Sequence, residues 1–180
     1  MKMKIFLTVL SLVVLVSTVI FFLPFSDSSV VSEKIKYKGF VCAEVKRGNS
    51  SEWELVGCNH NLITNTGKDM VMAMLVYGGQ SNVTYIAVAN NTVPQSASDT
   101  SLQGEWTTCG LERQPANEVT INDIGNWSIA YTWTVTCDNV IVNATGLYNS
   151  TGGLFAETTL PQTYLYNTDQ LKVTWTLIVS

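Results

Sequence analysis

The chain has 180 residues, with ten Lys and Arg against fourteen Asp and Glu, one His and a formal charge of −4. Charged residues make up 13% and apolar residues 46%, about half the usual charged share for a soluble domain, so the polar surface rests on 21 Thr, 15 Ser and 14 Asn. Scattered cations exclude the clustered basic face that nucleic acid demands. A single His without clustered metal ligands argues against an enzyme built on His chemistry, and no metal or cofactor is expected.

Lys2 and Lys4 precede an uncharged apolar run over 5–23, closed by Pro24. A basic start followed by an apolar stretch marks an export signal. The run of 19 residues is also just long enough to span a bilayer. Two readings compete: a signal peptide cut near Ser26, Ser28 or Ser29, and an uncleaved signal anchor. Residues 1–29 are set aside from the fold as this signal helix.

From 31 to 41, Val31, Ile35, Tyr37 and Val41 share one face with Glu33, while Lys34, Lys36 and Lys38 share the other. This period-two alternation predicts an extended segment running on to Arg47. A turn follows at 48–51, and a second strand returns over 52–58. The helix expected over 67–77 has Thr66 as its cap, Asp69 three residues on and Gly78-Gly79 as its stop. Its Met70, Val71, Met74 and Leu75 stripe reads as core packing.

Strands are then predicted over 83–89, over 105–121 with a break near Pro115, and over 126–137. In the last, Trp127, Ile129, Tyr131, Trp133 and Val135 alternate with small and hydroxylic residues. Strands near 139–148 and 153–159 flank a turn at 149–153. The final strand sets Leu171, Val173, Trp175, Leu177 and Val179 on one face. About eight short strands separated by turns predict a mainly β fold, a single antiparallel β-sandwich with one short helix. Its domain is expected over 39–180, behind an N-terminal extension over 30–38.

Four Cys in an exported chain imply two disulfides with three possible connectivities. A hairpin turning at 48–51 places Cys42 opposite Cys58, and one turning at 123–125 places Cys109 opposite Cys137. Opposed strand positions lie within disulfide reach. Six Asn-x-Ser/Thr acceptors, at Asn49, Asn82, Asn90, Asn126, Asn143 and Asn149, predict a glycosylated surface that keeps a charge-poor chain soluble. No nucleophile elbow, metalloprotease helix motif, P-loop or dinucleotide fingerprint is present. His60 has no sequence partner that completes a triad, and the chain is not expected to be an enzyme.

Several segments carry a resemblance through their order. Asn61-Leu62-Ile63-Thr64-Asn65-Thr66-Gly67 leads into the helix, and Tyr85-Ile86-Ala87-Val88-Ala89-Asn90 and Ser96-Ala97-Ser98-Asp99-Thr100 follow. Gly146-Leu147-Tyr148-Asn149, Leu154-Phe155-Ala156 and Leu171-Lys172-Val173-Thr174-Trp175-Thr176 complete the series. This order, over about 60–180, resembles β-sandwich proteins of phage tails and archaeal surfaces. With the signal added, the chain is most similar to the subunits of archaeal thread filaments and bundling pili.

The resemblance implies a secreted homopolymer, an extracellular filament for adhesion or biofilm formation. Its subunits are implied to join by donor-strand complementation. The donor would be the extension, with Val30, Val31, Ile35 and Tyr37 filling a neighbour's groove. The same segment could equally be strand one of its own domain. The membrane would be touched only through the N-terminal segment before cleavage. A monomeric anchored surface glycoprotein of adhesin or lectin type, and a virion tail protein, are the alternatives.

Overall fold

The computed structural model describes residues 36–78, 82–91 and 93–180. The signal segment 1–29 and the donor residues Val30, Val31 and Ile35 lie outside them.

Ten strands form two antiparallel five-stranded sheets. In chain order the elements are β1 (Tyr37–Lys46), β2 (Glu54–His60), β3 (Leu62–Ile63), α1 (Asn65–Tyr77), β4 (Val83–Ala89) and β5 (Gln114–Pro115). They continue with β6 (Glu118–Asp123), β7 (Asn126–Thr134), β8 (Val140–Asn149), β9 (Leu154–Leu165) and β10 (Gln170–Val179). Sheet A runs β2-β1-β10-β7-β6, and sheet B runs β3-β9-β8-β4-β5.

Alternation explains the interior. Val41, Ala43 and Val45 on β1 oppose Trp175, Val173 and Leu171 on β10, which in turn oppose Ile129, Tyr131 and Trp133 on β7. Directly opposed residues share a face, and this face meets Ile86, Val88, Leu147, Ala156 and Leu165 of sheet B in one buried core. Trp133 is 2% exposed and places its indole N–H on Glu112 O at 2.8 Å.

The chain departs from the sequence reading at several places. β1 opens at Tyr37, two residues ahead of the expected domain boundary, because β10 runs on to Val179 and supplies its partner. The helix begins at Asn65, capped by Thr64 rather than Thr66. Thr64 Oγ1 accepts from Gly67 N at 2.9 Å and donates to Leu154 O at 2.6 Å, so the cap also ties the helix to β9. The Met-rich stripe is only partly core: Met70 and Val71 pack on the interior, whereas Met74 is 42% and Leu75 73% exposed.

The stretch 105–113 carries no strand. Cys109 and Gly110 take positive φ of 65° and 73°, which breaks any ladder there, and regular pairing resumes only at β5. β9, expected to stop before Pro161, runs through it. The β8–β9 register shifts between Val142 and Ala144, whose partners are Thr163 and Thr159, so the proline falls in a bulge where no ladder bond is required.

Candidate functional site: an uncovered inner face and its groove

The flank made by β5 and β6 decides what the sandwich leaves open. Ala116 N donates to Thr84 O at 2.7 Å and Asn117 N to Ala130 O at 3.0 Å. Within two residues the chain therefore steps from the edge of sheet B to the edge of sheet A. β5 is two residues long and ends in Pro115, which has no N–H to extend a ladder. Among the described residues, sheet B ends on this flank at β5.

Register shows the consequence. Val119 opposes Ile129 and Ile121 opposes Trp127, so both lie on the inner face of sheet A. Ile129 is 3% exposed, yet Val119 is 66% and Ile121 82% exposed. These are core-facing side chains without the core. β6 is also an edge strand, paired on one side by β7, so its other backbone edge offers free donors and acceptors.

Beside this face lies an apolar groove of about 270 Å³, lined by Val71, Met74, Val83, Trp127, Leu177 and Val179 among others. A more polar hollow of about 450 Å³ shares Tyr37, Ile63 and Val71 with it. Tyr37 borders both, so the donor residue expected to leave the domain is instead built into β1 at the groove's mouth. Lys36 and Ser180 exchange backbone bonds of 2.7 and 3.0 Å at this same end. The charges on β6 are Glu118 and Asp123, and Lys172 reaches Glu118 at 2.7 Å.

The remaining charged clusters hold loops. Arg113 grips Glu105 at 2.9 and 2.6 Å and lies over the Tyr148 ring at 3.5 Å. Burial pushes the Tyr148 phenol up to about 12, with the neighbouring Glu105 adding to it, and the Glu105 hydrogen bond holds Arg113 above its ordinary value. At the opposite end, Asp169 takes Arg47 at 2.8 Å and the Gly48 amide at 2.9 Å. Burial pushes that carboxyl up, but the Arg47 and backbone bonds outweigh it and hold it below the usual range. His60 ends β2 on the surface with Nδ1 3.4 Å from Gly39 O. Among the described residues, no three His, Cys, Asp or Glu come together as metal ligands.

The cysteines pair Cys42 with Cys58 and Cys109 with Cys137, a pattern of oxidising, extracellular settings. The first bridge joins directly opposed residues of β1 and β2. The second arises otherwise than by hairpin opposition: Cys109 sits in a turn outside the β6–β7 ladder, with its carbonyl accepting from Thr136 N at 3.0 Å.

Of the acceptor asparagines, Asn49, Asn82 and Asn90 are exposed and Asn126 and Asn143 half-buried. Asn143 Nδ2 donates to Asn90 Oδ1 at 3.4 Å, which couples those two amides. Asn149 is 7% exposed, and its Oδ1 accepts from Thr151 N and Gly153 N at 3.2 and 2.7 Å. It is a turn organiser whose amide faces inward.

Sequence reasoning did not single out Val119, Ile121 or the groove. The usable signal was Val119 and Ile121 alternating in a segment ahead of a turn. Compared with family models, curated proteins and solved structures, the chain matches none of them.

Proposed function

We propose that this chain is a secreted structural subunit of an extracellular filament, with no catalytic role, joined to its neighbours by strand donation. The segment 30–35 of one copy would be laid along the free edge of β6 in the next. Its apolar residues Val31 and Ile35 would enter the groove and cover Val119 and Ile121. The observation that carries this reading is the pair of inner-face residues left 66% and 82% exposed beside an apolar groove. A strand added there gains main-chain bonds along the edge and apolar burial beneath it. Charge supports the match, since the segment carries Lys34 and the β6 edge carries Asp123.

The test compares wild type with a Val119→Asp, Ile121→Asp double variant, both exported and purified from the surface fraction. Wild type is expected as filaments in negative stain, and the variant as a folded monomer with an unchanged circular dichroism spectrum. Wild-type material that stays monomeric at every concentration, or a variant that still polymerises, overturns the proposal. Intact mass separates the anchored alternative: detergent-soluble monomer still carrying residues 1–23 would assign the exposed Ile124, Leu75 and Tyr77 to a membrane-tethered protein.

A further inference from the structure

The outer face of sheet B is covered by part of its own chain. Ala87, Ala89, Ala144, Tyr148 and Leu154 form a second small apolar cluster with Leu102, so residues 93–106 lie across the sheet as a strap. The middle of the strap is fixed firmly. Leu102 N donates to Tyr148 Oη at 2.6 Å, Tyr148 donates to Glu105 at 3.1 Å, and Arg113 closes the network.

The leading end is held by different chemistry. Glu157 on β9 is 1% exposed. The Ser96 amide is shared between Asp99 Oδ2 at 3.0 Å and Glu157 Oε1 at 3.2 Å, which brings two carboxyls to one donor. A single amide does not offset two negative charges beside a buried carboxyl, so the arrangement favours one proton on the pair. Among the described residues, the strand positions opposite Glu157 carry no cation. β3 and β8 oppose it with Leu62 and Gly146, and Lys68 of α1 turns its Nζ to Asn65 Oδ1 at 3.4 Å. Asp99 is the titratable neighbour that acts on it, and burial first, then Asp99, pushes Glu157 up to about 7.

We propose that residues 95–99 are a proton-operated latch, closed while the Asp99–Glu157 pair holds a proton and open once that proton leaves. The opening has a mechanical target. Ala97 O accepts the Asn65 amide at 2.7 Å at the first residue of α1, the helix whose Val71 and Met74 line the groove. Releasing the latch removes one of the ties that seat this helix. The latch belongs to the single subunit and stands whether or not the chain polymerises.

Because the folded state raises the Glu157 pKa, the proton-dependent hold is complete below the ordinary carboxyl range and is lost as pH rises through about 7. Between the ordinary carboxyl range and that point, each pH unit shifts the closed-to-open ratio by up to about tenfold, and above it the ratio levels off. Hydrogen exchange of residues 95–102 in the full chain, from pH 5.5 to 8.5 and corrected for intrinsic rates, reads this directly. Protection is expected to fall by up to about tenfold per unit from pH 5.5 to about 7 and to level off above it, while β10 amides keep theirs. Glu157→Gln, permanently neutral and able to donate to Asp99, should give a flat, protected profile. Asp99→Asn removes the like charge but leaves Glu157 buried, so it should keep a shallower fall, shifted to lower pH, and serves if the first variant fails to fold. A flat wild-type profile, or variants that track wild type, overturns the latch.

Discussion

Both flanks of the sandwich are made by a chain segment that steps from one sheet to the other, but only one of them is finished. On the β2 flank, Asn59 Nδ2 donates to Thr159 O at 3.3 Å and Thr158 Oγ1 donates to His60 O at 2.8 Å. The Cys42–Cys58 bridge ties β2 to β1, and α1 follows at once, seated on β9 through Thr64. On the β5 flank the crossing is equally well bonded, through Ala116 and Asn117, yet β6 emerges with Val119 and Ile121 exposed. Backbone pairing across a corner therefore does not close a sandwich. Closure also needs apolar cover over the inner face, and a two-residue β5 ending in proline cannot supply it.

The largest expected effect compares neighbours on one face. Ile129→Ala removes a side chain 3% exposed and packed in the main core, so it should destabilise by about 3 kcal/mol through lost burial and the cavity left behind. Denaturant unfolding measures it. A loss below about 1 kcal/mol would mean that the interior near β7 is as loose as the open flank, and the contrast between flanks would dissolve.

Replacing both Cys42 and Cys58 by Ala tests what finishes the β2 flank. Removing a bridge across 16 residues frees the unfolded chain and should also cost about 3 kcal/mol in the loop-entropy account, slightly less than the longer Cys109–Cys137 loop of 28 residues. Thermal unfolding of the two double variants, under identical conditions, gives the order. If the Cys109–Cys137 variant proves the less damaged, the second bridge holds a turn that the fold tolerates losing.

The unfinished flank also marks where the sequence stops being readable. β1, β7 and β10 are legible because Val41 to Val45, Trp127 to Trp133 and Leu171 to Leu177 alternate without interruption, and period two is a local property. Alternation in Val119 and Ile121 assigns their face equally well. It cannot say whether another strand lies over that face, since this depends on how far β5 extends in the opposite sheet. The helix start is not legible for a related reason: Thr64 and Thr66 are both competent caps, and Thr64 takes the role because Leu154 O is there to accept its hydroxyl. Cys109 at φ 65° is likewise a tertiary outcome, imposed on a residue type with no preference for that conformation. The cysteine partners were reachable by register alone, although for Cys109 the register argument and the actual geometry differ.

The smallest effect on stability should accompany the largest effect on assembly, and one residue tests both. Ile121 is 82% exposed and already in contact with water, so Ile121→Ser should change unfolding free energy by no more than about 0.5 kcal/mol. That is several-fold less than Ile129→Ala, although the two residues face the same way on paired strands. If β6 receives a neighbour's strand, the same serine removes apolar area that only the assembled form buries, and polymerisation should weaken while the monomer is untouched. Sedimentation velocity across a concentration series separates the outcomes. A stable monomer with impaired assembly fits an edge held open for a partner. A variant as destabilised as Ile129→Ala would mean that Ile121 is covered within the single chain, which would remove the open flank altogether.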